Sequence, residues 1–181
     1  DGVKRGLVGE ILSRFEKRGL KIIALNMVLA SKENMDNHYP KDDAWIKRLG
    51  EKSLANYQQY GVDPREKLGT DDPFEIGKMI RKWVVEYMTS GPIVKGVVSG
   101  VHAIDMVRKI CGNSLPNLAD MGTIRGDFSV DSAVSANLNN RSIKNIIHAS
   151  ENEKEVKNEM VLWFKENEIH DYKRAEEDIM F

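Results

Sequence analysis

Residues 20–30 read Leu20-Lys21-Ile22-Ile23-Ala24-Leu25-Asn26-Met27-Val28-Leu29-Ala30, a run dominated by Ile, Leu and Val. It is too short for the roughly 20 residues a membrane helix needs and suits a buried strand. The residues on either side of it show what packs there. On the N-terminal side, Leu7, Ile11 and Phe15 recur at helical spacing with Val8 and Leu12 beside them, so Lys4 to Lys17 is predicted as an amphipathic helix stopped by Gly19. On the C-terminal side, Ser31 opens a short helical turn ending near His38-Tyr39-Pro40. Two further apolar runs, Ile93–Ser99 and Ile143–His148, are predicted as strands. Strands alternating with amphipathic helices give an α+β fold, with helices packed on an antiparallel or mixed sheet.

The helix starts are marked with different strength. Asp72-Pro73-Phe74-Glu75 combines an N-cap acid, Pro at the first helical position and Glu three residues after the cap. The helix that follows carries Ile76, Ile80, Trp83, Val84, Tyr87 and Met88 on one side. Ala103–Cys111 is a short helix stopped by Gly112, and Asn113–Phe128 is a Gly/Pro/Asp-rich loop without periodicity. Ser150-x-x-Glu153 signals a last helix with Val156, Met160, Trp163 and Phe164 on its apolar face, and the charged tail from Lys165 is expected on the surface. Two polar excursions, about 40–71 and 129–142, interrupt this pattern.

Composition narrows the function classes. The chain has 181 residues, 27 Lys+Arg against 28 Asp+Glu, a net charge of −1 and one cysteine. Cys111 has no partner for an intramolecular disulfide, so the expected address is the cytosol. Near-neutral charge argues against bulk binding to a phosphate backbone, so any nucleotide contact must come from a few placed cations. Neither GxxxxGK[ST] nor GxGxxG is present, and no C-x-x-C, H-E-x-x-H or EF-hand spacing occurs.

Among the histidines, His148 stands apart because it ends an apolar run just before Ser150 and a helix start, where anions are favoured. That makes it a candidate phosphate acceptor or general base. Gly122-Thr123-Ile124-Arg125-Gly126-Asp127 places an arginine between glycines. Spacing alone fits equally an arginine that grips phosphate and an Arg–Asp pair that braces a turn. Arg108 reads as a solvated helix-face charge, and Cys111 as a core residue.

Several segments together carry a resemblance. Asp1-Gly2-Val3-x-Arg5-Gly6-Leu7-Val8-Gly9-Glu10-Ile11, His38-Tyr39, Ser90-Gly91-Pro92, Gly122 to Phe128, Asn145-Ile146-Ile147-His148-Ala149-Ser150 and Leu162-Trp163-Phe164 resemble the nucleoside diphosphate kinases, in the family's order. The resemblance implies a single domain, residues 1–181, with a ferredoxin-like α/β sandwich on a four-stranded antiparallel sheet, the two excursions being insertions. It also implies a ping-pong phosphotransferase that passes the γ-phosphate of a nucleoside triphosphate through His148 to a nucleoside diphosphate. Position by position, Glu159 would hydrogen-bond the other ring nitrogen of His148, with Ser150 supporting it. Arg108 and Arg125 would neutralise the phosphates, Ser114 would stand where threonine is usual, Tyr39 would lie near the transferring phosphate, and Asn145 would contact the ribose 3′ hydroxyl. Mg²⁺ would be carried by the nucleotide phosphates, with Glu151 near the place of an aspartate that holds a metal-bound water. A homo-oligomer, commonly a hexamer, would be the assembly.

Departures from the family pattern bear on each expectation. Ile80 and Val84 stand where an aromatic usually covers the base, and Met121 replaces a proline before Gly122. In the family a lysine, a proline and a first strand precede Asp-Gly-Val, so upstream residues are expected in the intact protein. The alternative reading is a nucleotide-binding or regulatory relative without efficient transfer. A single-stranded nucleic-acid binder is disfavoured by the charge balance and by the lack of paired exposed aromatics on a strand.

Overall fold

The computed structural model describes residues 1–180. The chain divides into two compact units: residues 1–29, 92–129 and 145 onward form the first, and residues 30–91 with 130–144 form the second.

In the first unit, β1 (Lys21–Leu29) and β2 (Pro92–Ser99) pair antiparallel, with Lys21 opposite Ser99 and Leu29 opposite Pro92 and an irregularity between Ile22 and Ala24. Helix α1 (Val8–Lys17) precedes β1; it starts later than predicted because residues 2–6 form turns, with Leu7 N–H donating to Gly2 O at 2.9 Å. Phe15 of α1 is buried, and Gly19 (φ 83°) ends the helix as foreseen while Leu20 N–H returns to Phe15 O at 3.1 Å. Phe15, Leu20, Cys111 and Ile124 form the core, with Ile11, Val98, Val107, Ile110 and Ile146 packed around it.

The predicted third strand, Ile143–His148, does not form, and the sheet among the described residues is two-stranded rather than four-stranded. The run turns on itself and is held there by distant partners. Ile146 takes φ 71°, and Ile147 N–H donates to Asn145 O at 2.8 Å, so the run folds into a γ-turn. Side chains hold the turn: Ile146 N–H donates to Asp1 Oδ1 at 3.1 Å, and the Asn145 and Ile147 carbonyls accept from Arg125. A positive φ at a β-branched residue costs about 1–3 kcal/mol, which these anchors must hold in place.

In the second unit, Ser31 caps α2 (Lys32–His38) through a reciprocal bond with Asn34. The excursion at about 40–71 is helical: α3 (Asp43–Gln59) and α4 (Pro64–Leu68), capped by Asp42 and Asp63. Helix α5 (Pro73–Met88) starts where Asp72-Pro73 placed it, the Asp72 carboxylate accepting from Glu75 N–H at 2.8 Å. It packs against α3 at close range. A Cβ added at Gly50 would collide with the Pro73 carbonyl and one at Gly77 with the Ile46 carbonyl, so both helices approach through glycine. The buried residues of α5 are Ile76, Gly77 and Val85, a narrower face than periodicity suggested.

Helix α6 (Ala103–Cys111) ends at Gly112 (φ 80°). The loop after it is more ordered than its composition implied, holding a 3₁₀ turn at Pro116–Leu118 and the short helix α7 (Ile124–Phe128). The second excursion carries α8 (Ala133–Leu138) within the second unit, where Asn137 donates to Ser53 Oγ at 2.8 Å and accepts from Tyr57 OH at 3.1 Å. Helix α9 (Glu153–Trp163) is capped by Asn152, whose side chain accepts from Glu155 N–H; Ser150 is therefore not the cap. The tail lies on the surface as expected and is also anchored there: His170 N–H donates to Ile23 O, Tyr172 OH to Ile22 O (both 2.8 Å) and Arg174 Nη1 to Leu20 O at 3.1 Å. It runs along the start of β1.

Candidate functional site

The γ-turn and the first turns of α9 bring the predicted histidine site together. His148 is exposed, and its Nε2 lies 3.2 Å from Glu159 Oε1. Ser150, released from capping, donates its hydroxyl to the other oxygen, Oε2, of the same carboxylate. Glu159 projects from the second turn of α9, back toward the chain that leads into the helix. The arrangement is a histidine whose one nitrogen is held by an oriented carboxylate, the geometry that fixes an imidazole tautomer.

Arg125 is buried on α7 at 8 % exposure. Its guanidinium donates to three main-chain carbonyls: Nη1 to Gly112 O at 2.7 Å, Nη2 to Ile147 O at 2.6 Å and Nε to Asn145 O at 3.3 Å. Two of its five N–H groups remain beyond these bonds. Burial lowers its pKa from the ordinary arginine value, partly offset by the nearby Cys111. The Arg125–Asp127 brace considered from spacing does not form. Asp127 instead meets Arg14 of α1 at 2.7 Å and accepts from Gly122 N–H at 2.7 Å.

The other residues of this unit fall around the same turn. Asn145 Nδ2 donates to Ser114 O at 3.1 Å, tying the γ-turn to the loop after α6. Arg108 of α6 donates to Glu151 O at 3.1 Å and faces the Glu151 carboxylate at 3.8 Å, an exposed and loose pair. Cys111 is fully buried, and desolvation pushes its thiol up to about 11 against the pull of Arg125, which suits a core residue.

Tyr39, Ile80 and Val84 belong to the second unit. Tyr39 ends α2, its ring 4.8 Å from His38 edge-on and 6.4 Å from Trp45. Ile80 and Val84 lie one turn apart on α5 and are half-buried.

Three features of the site escaped sequence reading. Nothing in an Ile-rich run signals the positive φ at Ile146, since β-branched residues avoid it. The carbonyls of Gly112 and Ile147 as Arg125 partners carry no side-chain signature. Asp1 as the anchor of Ile146 N–H could be found only by knowing the turn.

The chain as a whole is similar to known proteins. The family model for nucleoside diphosphate kinase matches residues 1–47 and 75–169. A nucleoside diphosphate kinase of Pyrobaculum aerophilum is 50 % identical over 169 residues, 93 % of this chain and 92 % of that protein. A crystal structure of an NDP kinase from the same organism superimposes with TM-score 0.91 at 48 % identity, covering 94 % of each chain. A transition-state mimic of the Borrelia burgdorferi nucleoside-diphosphate kinase with bound vanadate and ADP matches at TM-score 0.78 and 37 % identity, over 98 % of this chain and 89 % of that one. The architecture is therefore the ferredoxin-like α+β fold of these structures. The chain belongs to the nucleoside diphosphate kinase family.

Proposed function

We propose that the protein is a nucleoside diphosphate kinase working by ping-pong transfer through His148. The observation that carries the reading is the Glu159 carboxylate on His148 Nε2, steadied by Ser150. An ionised Glu159 accepts from Nε2–H, which leaves the ring lone pair on Nδ1. Nδ1 attacks the γ-phosphorus in line; the N–P bond forms as the bond to the β-phosphate oxygen breaks, and nucleoside diphosphate leaves. The imidazolium charge created by phosphorylation is stabilised by Glu159. A terminal oxygen of the second nucleoside diphosphate then attacks the same phosphorus, the P–N bond breaks, and neutral His148 returns.

Arg125 contributes its two remaining N–H groups to the phosphate oxygens, and Arg108 supplies a second cation. Asn145, whose amide nitrogen is engaged by Ser114 O, offers its side-chain oxygen to the ribose 3′ hydroxyl. The Ser114 hydroxyl and the Tyr39 hydroxyl are read as further phosphate contacts, and Ile80 and Val84 as apolar contacts to the base. Mg²⁺ is read as arriving on the nucleotide phosphates, where it would neutralise their charge. The exposed Glu151 carboxylate, loosely paired with Arg108, fits a contact through a metal-bound water.

The chain is read as one domain with insertions at about 40–71 and 129–142; the stretch 48–74 left unmatched by the family model supports the first of these. A homo-oligomer, a hexamer by family analogy, and a cytoplasmic address complete the proposal; among the described residues no helix is long and apolar enough to cross a membrane. The test is initial-rate kinetics with ATP and a series of nucleoside diphosphates. Parallel lines in double-reciprocal plots and activity on several bases are expected. Intersecting lines, or no transfer, would overturn the mechanism.

A further inference from the structure

Helix α7, which carries Arg125, has five residues, too few to hold itself in water. Part of its support is internal. Thr123 caps it, accepting from Gly126 N–H at 3.1 Å, and Ile124 is fully buried. The rest comes from α1. Arg14 pairs with Asp127 at 2.7 Å, donates to Gly122 O at 3.1 Å and lies over the Phe128 ring at 4.7 Å. Asp127 closes the ring of contacts by accepting from Gly122 N–H at 2.7 Å. One guanidinium thus grips both ends of the segment that presents Arg125.

The charge arrangement adds a second consequence. Asp127 is the acid of α7, two residues from Arg125, where a free carboxylate would repel a triphosphate and compete for the arginine. It is instead engaged on both oxygens, by Gly122 N–H on Oδ1 and Arg14 on Oδ2. Both contacts, the backbone one first, hold its carboxyl below the usual carboxylate range.

We propose that Arg14 and Asp127 are positioning residues for Arg125: Arg14 sets the orientation of α7 and holds its carboxylate away from incoming phosphate. The inference rests on the reading that Arg125 binds phosphate. It goes beyond a structural brace, because it assigns part of the effect to the charge on Asp127.

The test is steady-state transfer from ATP to GDP in the full chain, with thermal midpoints, for Arg14→Met, Arg14→Lys, Arg14→Met combined with Asp127→Asn, and Arg125→Met. Arg14→Met should raise KM for ATP about tenfold, the worth of one charge-assisted hydrogen bond, with kcat changed less than about threefold. Arg14→Lys, which keeps the charge without the fork, should lie between. In the double variant KM should return to within about threefold of the parent while the midpoint stays lowered, a split that a purely structural role would not produce. An unchanged KM in Arg14→Met or Arg14→Lys, or a double variant whose KM stays as high as that of Arg14→Met, would overturn the proposal alone, provided Arg125→Met still raises KM. An unchanged KM in Arg125→Met would overturn the phosphate reading and the proposal with it.

Discussion

Arg125 is expected to hold the site together as well as to bind substrate, and Arg125→Met separates the two roles. Methionine keeps much of the stem while removing the guanidinium. The Gly112 and Ile147 carbonyls then lose their donors, whereas Asn145 O keeps Ile147 N–H. Each orphaned carbonyl costs about 1–3 kcal/mol, so the two together cost about 4 kcal/mol. Relaxation of the strained Ile146 turn returns about 1 kcal/mol. The net loss is about 3 kcal/mol, a large share of an ordinary domain's stability. The control is Arg108→Met, whose guanidinium is half exposed and bonded to one carbonyl; its loss should stay below about 1 kcal/mol. Urea unfolding followed by far-UV circular dichroism at fixed protein concentration reads both, and phosphotransfer is expected to fall in both. An Arg125→Met variant within 1 kcal/mol of the parent, or an Arg108→Met variant equally destabilised, would refute the argument.

Three other outcomes follow from the packing and the charges. Gly77→Ala should destabilise by about 2–3 kcal/mol in urea unfolding despite alanine's better helix propensity, because the added methyl meets the Ile46 carbonyl; a neutral or stabilising result would contradict the close approach of α3 and α5. Burial raises Asp131, but hydrogen bonds from Arg141 and from the Lys144 and Ser132 N–H groups outweigh it and hold the carboxyl at about 2, below its unfolded 3.8. The stability it contributes, about 1 kcal/mol after solvent screening, is present above pH 4 and lost as pH falls toward 2. The gap between the parent and Asp131→Asn should therefore close over that window. Cys111, fully buried with its thiol near 11, should resist a thiol reagent at pH 8 until denaturant is added; rapid labelling of the native protein would contradict its burial.

The elements that sequence reading found were those whose signals are local. Asp72-Pro73 marked α5 because a cap and a proline act within one turn, and β1 and β2 were visible because their β-branched runs are bounded by turn residues. Gly19 and Gly112 were read as stops for the same reason. What escaped was decided by distant partners. The Ile143–His148 run has strand composition, yet Arg125 and Asp1 take its backbone groups and bend it. Ser150-x-x-Glu153 and Asn152-x-x-Glu155 are both capping patterns; Ser150 is drawn to Glu159, so Asn152 caps. The His148, Glu159 and Ser150 grouping was legible through the ordered motifs of the family, and its spacing alone marked only His148. Arg125 was singled out from its place between glycines, but its carbonyl partners were invisible because they are backbone atoms.

The central claim, a phosphohistidine at His148, is tested most directly by incubating the protein with γ-labelled ATP and Mg²⁺. The protein should acquire label that is acid-labile and alkali-stable, discharged by a nucleoside diphosphate and absent from His148→Ala. Label retained in His148→Ala, or none on the parent protein, would contradict it.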